Sequence, residues 1–225
     1  SYEAAFGPIL AAIETEMQAA RQEQQPVAPI LWDVIDYQFG WDLDADDAGR
    51  GRVAGKKIRP LLMALVAQAV CGAYRHVLPA GAALEFIHNF TLIHDDVMDK
   101  SEERRHRPTV WTRWGPWQAI NSVRLAQADT PPARIVRVVE ALARACLHTA
   151  EGQILDMDFE GRADVGADEY VTMVANKTGA LIRCAALVGA LLSSDDEDLI
   201  AHYAAFGQDL GIAFQIRDDY LGVWG

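Results

Sequence analysis

Cysteine is scarce in this chain: Cys71, Cys146 and Cys184 lie far apart among 225 residues. They form neither a CxxC pair nor a zinc-ligand spacing, and so build no disulfide framework. A reducing, cytoplasmic setting is the expectation. Basic residues are also few, with 20 Lys and Arg against 32 Asp and Glu and a formal charge of −12. That balance excludes nucleic acid as the main partner, because a phosphate backbone is met by clustered Lys and Arg. Phosphate ligands survive the exclusion, since a bound cation inverts the local sign. Long apolar runs are missing; 185–192 is among the longest and falls well short of the roughly 20 residues of a membrane span. Acids among the apolar residues of 1–17 argue against a signal peptide. Strand-type alternation, fixed-period repeats and low-complexity tracts are absent or nearly so.

What remains is helical periodicity. Phe6, Ile9, Leu10, Ile13 and Met17 recur at three- and four-residue intervals, an amphipathic stripe. Pro60 stands where a first helical turn accepts proline, and 61–70 continues without a breaker to Gly72. Further helices are predicted over 81–98, 135–159, 168–192 and 198–221, with turns at 42–55, 102–108, 128–132 and 161–166. With 51% hydrophobic residues, a sizeable core is available. One all-α domain over 1–225, a helical bundle, is the simplest architecture. The sequence stops at Trp224-Gly225 inside an unfinished helical region, which predicts a continuation.

The sharpest polar feature is Asp95-Asp96-Val97-Met98-Asp99, closing the apolar run 86–93. In a helix, Asp95 and Asp99 are one turn apart on one face, with Asp96 beside them. Three carboxylates so placed repel one another unless a cation sits between them. Mg²⁺ takes such oxygen ligands together with substrate phosphates. The alternative is a solvated acidic helix end, which the helix dipole opposes. A second pair, Asp218-Asp219, follows Gln215 in another helical stretch. Two acidic sites on separate helices of one bundle can build a multi-metal centre.

Basic groups complete the pattern. Gly55-Lys56-Lys57-Ile58-Arg59-Pro60 places cations beside a helix start, where free amides also favour a diphosphate. It is no Walker A loop, because Arg50 replaces the first Gly and Lys57 the Ser or Thr. Arg104-Arg105 follows the first acidic motif and suits bidentate phosphate binding; a loop that neutralises the neighbouring acids is the plainer reading. His88 lies on the helix of the first motif, a phosphate ligand or a satisfied core residue. Gln153 and Asp156 interrupt one apolar helix and Lys177-Thr178 another. An inward polar site explains them, unless Lys177 snorkels to the surface.

Taken together, these motifs resemble the trans-prenyl-diphosphate synthase (polyprenyl synthetase) family, from about Ile30 to Gly225. The resemblance implies an isoprenoid synthase fold, a helical bundle around a central cavity, and a homodimer. It implies a prenyltransferase joining an allylic diphosphate to isopentenyl diphosphate. Asp95, Asp96 and Asp99 match the first aspartate-rich motif; Gln215, Asp218 and Asp219 match the second. By that likeness Asp95, Asp99 and Asp218 hold Mg²⁺, three ions per site, while Lys177 and Arg104 meet the allylic diphosphate. Lys56, Arg59, His88 and Arg105 take isopentenyl diphosphate, and Thr178 and Gln215 shield the allylic cation. Phe90 and Thr91, five and four residues before Asp95, set chain length, favouring a C15 to C20 product and geranylgeranyl diphosphate within that range. The departures are Gly222 in place of a third aspartate, and Ser122 running straight into Val123 without the family's Gly-Asp. A lysine expected after the second motif would fall beyond Gly225. A class I terpene cyclase and a non-catalytic synthase subunit are the rival readings.

Overall fold

The structure, a computed structural model, describes residues 2–22, 30–43, 55–114 and 132–225. The expected junction at Ser122 and Val123 and much of the turn at 42–55 lie outside the described residues.

The first amphipathic stripe forms α1 (Tyr2–Gln22), which buries Ile13 and Met17 completely. Next come α2 (Ile30–Phe39) and α3 (Ile58–Cys71), the latter stopped by Gly72 at φ 76°. A 3-10 turn leads into α4 (Leu78–Met98), which starts three residues earlier than periodicity predicts because Pro79 is accepted in its first turn. Two short strands, β1 (Glu103–Arg104) and β2 (Arg107–Pro108), pair antiparallel and precede α5 (Val110–Trp114). The long α6 spans Pro132–Phe159.

The stretch expected as one helix over 168–192 is three pieces. α7 (Ala167–Val174) and α8 (Ala180–Leu191) flank a π-helical turn, Ala175–Gly179. Such single π turns widen the helix and often occur at functional sites. α9 (Glu197–Trp224) closes the order; Asp196 caps it, its carboxylate accepting from the amides of Asp198 and Leu199, both at 3.1 Å.

α8 is the hub. Leu181, Cys184, Ala185, Ala186, Val188 and Ala190 are buried on most of its circumference, leaving only the Arg183 side open to solvent. It packs against α3, α6 and α9, while α4 lies between α1, α3 and α6. The continuous rod 167–193 is long and apolar enough to cross a membrane by length and composition, and 61% of its apolar window is buried inside the protein. The short runs seen in the sequence understate this, because Lys177 and Arg183 break a stretch that the fold joins end to end. The three cysteines are unpaired.

Candidate active site

α4 delivers the first acidic motif on its last turn, where the amide of Asp99 bonds the Asp95 carbonyl at 2.8 Å. Asp95 and Asp99 share a face with His88, two turns below. Asp96 departs from the expected trio. It is about 100° further round the helix, 1% exposed, and accepts from Arg104 Nε at 2.8 Å. Asp96 is therefore the buried anchor of Arg104. Burial pushes Asp95 up to about 6, with Lys177 opposing and Asp99 adding to the rise. That strained charge is what a cation relieves.

The hairpin between β1 and β2 turns through Arg105 and His106 at φ 53° and 64°. Two left-handed non-glycine residues are costly, and here they aim Arg105 backwards. A β-carbon on Gly55 would lie 2.8 Å from Arg105 Nη2, so the guanidinium lies over the start of α3, close to Lys56 and Arg59. Tyr37 steadies the hairpin: its hydroxyl donates to the Pro108 carbonyl at 2.8 Å, and Arg107 stacks 3.8 Å from its ring centroid. Burial, with Arg59, Arg105 and Arg104 nearby, holds His88 well below its usual titration range. Lys56 is exposed, and its neighbour Lys57, at φ 49°, pairs with Glu14 at 2.9 Å.

The second wall comes from α6 and the π turn. Gln153, 2% exposed, donates from Nε2 to Asp99 Oδ1 at 3.1 Å. One turn on, Asp156 pairs with Lys177, whose charge also reaches Asp95. Thr178 donates to Gln215 Oε1 at 2.7 Å, and Gln215 Nε2 donates to Asp219 Oδ1 at 2.7 Å. The Tyr170 hydroxyl donates to the other oxygen of Asp219. Both acidic motifs are thus tied to the same π turn, while Asp218 is exposed beside Asp219.

Among the described residues no three His, Cys, Asp or Glu side chains converge closely enough to enclose an ion by themselves. Paired, mutually repelling carboxylates without a full cage fit a Mg²⁺ shared with substrate phosphates. Of the chain-length candidates, Thr91 lies on the Asp95 side of α4 and donates to the His88 carbonyl at 2.8 Å. The Phe90 ring packs edge-on against His94 at 4.2 Å between centroids.

Sequence reading missed Glu85, Asn89 and Tyr170. Glu85 left a signal, a lone carboxylate in the apolar first half of 81–98. Tyr170 left none, being 49 residues from its partner.

Residues 51–225 match the family model described as polyprenyl synthetase. The chain belongs to the polyprenyl synthetase family. It is 37% identical over 214 residues to the (2E,6E)-farnesyl diphosphate synthase of Mycobacterium tuberculosis, covering 91% of this chain and 59% of that protein. It is also 37% identical over 227 residues to that organism's geranylgeranyl diphosphate synthase, covering 97% of this chain and 62% of the relative. The crystal structure of geranylgeranyl pyrophosphate synthetase from Pyrococcus horikoshii superposes with a TM-score of 0.82 at 32% identity, over 98% of this chain and 66% of that one. The fold is accordingly the all-α isoprenoid synthase fold. The chain spans about three fifths of the length of these curated relatives.

Proposed function

We propose that this polyprenyl synthetase is a Mg²⁺-dependent prenyltransferase that condenses an allylic diphosphate with isopentenyl diphosphate. Its product is an all-trans C15 to C20 prenyl diphosphate, geranylgeranyl diphosphate foremost. The observation that carries the reading is the grouping of Asp95, Lys177, Asp156 and the Thr178–Gln215–Asp219 chain about one π turn. Further down the Asp95 helix, His88 lies close to Arg59 of α3 and Arg105 of the hairpin turn.

Asp95, Asp99 and Asp218 would hold Mg²⁺, three ions per site; when bound, the metal supplies a Lewis acid toward the departing diphosphate. Lys177 and Arg104 add fixed positive charge beside the same leaving group, held by Asp156 and Asp96. Lys56, Arg59, His88 and Arg105 orient isopentenyl diphosphate so that its double bond meets the allylic carbon, an effect of proximity. His88, neutral, serves as a hydrogen-bonding partner rather than a charge. Thr178 and Gln215 present hydroxyl and amide dipoles where the allylic cation forms. Phe90 and Thr91 limit chain growth. A cytoplasmic homodimer whose partners are diphosphate substrates rather than nucleic acid belongs to the same reading.

Incubating the purified protein with Mg²⁺, farnesyl diphosphate and isopentenyl diphosphate tests this. A C20 alcohol after dephosphorylation is expected. Turnover of the allylic substrate alone identifies a cyclase, and inertness with both substrates identifies a non-catalytic subunit.

A further inference from the structure

Beneath the cationic cluster lies a carboxylate that the reaction does not use. Glu85, on the second turn of α4, is 3% exposed. One helical turn on, Asn89 Nδ2 donates both to the Glu85 carbonyl at 3.0 Å and to Glu85 Oε1 at 3.2 Å. Asn89 is itself 2% exposed, and its Oδ1 accepts from Gln38 Nε2 at 3.4 Å. The carboxylate is thus pinned from one side only. Its other oxygen, Oε2, is buried and has no hydrogen-bond partner among the described residues, and the same holds for Arg59 Nε.

The charges that face Glu85 come from two elements. Arg59 and Lys57 belong to the start of α3 and Arg105 to the hairpin turn. Burial lifts the Glu85 carboxyl above its usual range and these cations pull it down. Burial lowers Arg59, with Glu85 opposing and Arg105 adding to the fall. Cations brought together in a partly dry space repel one another and lose hydration, so they stay together only where an anion compensates. The left-handed turn at Arg105 and the close approach of its guanidinium to Gly55 show that the fold holds this cation inward.

We propose that Glu85 is a positioning residue: an internal counter-ion, pinned by Asn89, that keeps Arg59 and Arg105 converged so that the isopentenyl diphosphate site is assembled before substrate arrives. This rests on the reading above of that cluster as the isopentenyl diphosphate site. Glu85 makes no contact with substrate. It subtracts one charge from the cluster's attraction for a diphosphate, but it fixes where the remaining donors point, and a preorganised site gains affinity by avoiding the cost of ordering.

Glu85→Gln separates the two effects, because the amide keeps an acceptor for Asn89 and loses the charge. Isothermal titration with isopentenyl diphosphate, and steady-state kinetics in each substrate, read the result. Both Kd and KM for isopentenyl diphosphate are expected to rise about tenfold, while KM for the allylic diphosphate stays within about twofold. Asn89→Ala keeps the charge and removes the pin, so a shift of about threefold in the same direction is expected. Unchanged or tighter isopentenyl diphosphate binding in both variants overturns the proposal, and if Glu85→Gln does not fold, Asn89→Ala decides alone. A wild-type protein that turns over the allylic diphosphate yet never binds isopentenyl diphosphate overturns the underlying reading instead.

Discussion

A β-carbon on Gly152 would stand 2.1 Å from the backbone nitrogen of Lys177. The long helix α6 and the π turn therefore touch backbone to backbone at the residue that carries the site's lysine. Gly152 immediately precedes Gln153, the partner of Asp99, and lies four residues before Asp156, the partner of Lys177. One missing methyl group sets the spacing between α6 and the π turn.

Gly152→Ala should force those backbones apart. Overpacking of this kind is expected to cost on the order of 3 kcal/mol, lowering the unfolding temperature by about 6–12 °C for a domain of this size. Displacing Lys177 by about 1 Å should lower kcat by roughly 100-fold. Gly161→Ala is the control: no atom lies within 4 Å of its added carbon, so scanning calorimetry should show almost no change.

Asp95 makes stability depend on pH. Its folded value of about 6 lies above the ordinary 3.8, chiefly through burial. Between those values the folded protein binds more proton than the unfolded chain, so the Asp95 contribution to stability falls as pH rises from about 4 to 6. At pH 7 the buried charge costs on the order of 3 kcal/mol. Without Mg²⁺, Asp95→Asn should be more stable than wild type at pH 7, and the gap should close by pH 4. Melting curves across that range in a chelating buffer check this; a constant gap would show that Asp95 is not desolvated.

Arg104→Ala leaves Asp96 buried without its partner. The expected loss is about 2–3 kcal/mol, at the low end for a broken buried pair because the Arg104 side chain is 32% exposed. Asp96→Asn combined with Arg104→Gln should cost less than the two singles added together. Urea unfolding of the four proteins measures the coupling.

Phe90→Ala should lengthen the product by at least one C5 unit, read by mass analysis of the dephosphorylated alcohols. An unchanged product would assign the limit to another side chain, with Thr91 the next to test.

Much of this molecule was legible in the sequence because helical periodicity is a local property. The stripe of Phe6, Ile9, Ile13 and Met17 specified α1, and the apolar run before Asp95 specified most of α4. Asp95 and Asp99 on one face followed from the helical repeat alone. The π turn was not legible: Asn176, Thr178 and Gly179 weaken an α-helix but do not specify a π turn, and the segment packs between α6 and α9. Nor was the division of labour between Asp95 and Asp96, adjacent in the chain and alike in chemistry.

By itself the sequence determined the helical class, the spacing of the acidic motifs along their helices, and the family. Those depend on residue order over one or two turns. Only tertiary structure decided that Asp96 anchors Arg104, that Tyr170 reaches Asp219, and that buried Glu85 lies within reach of the charges of Arg59 and Arg105. Charges separated by many residues acquire partners only when packing brings them together and burial removes the water that would otherwise screen them.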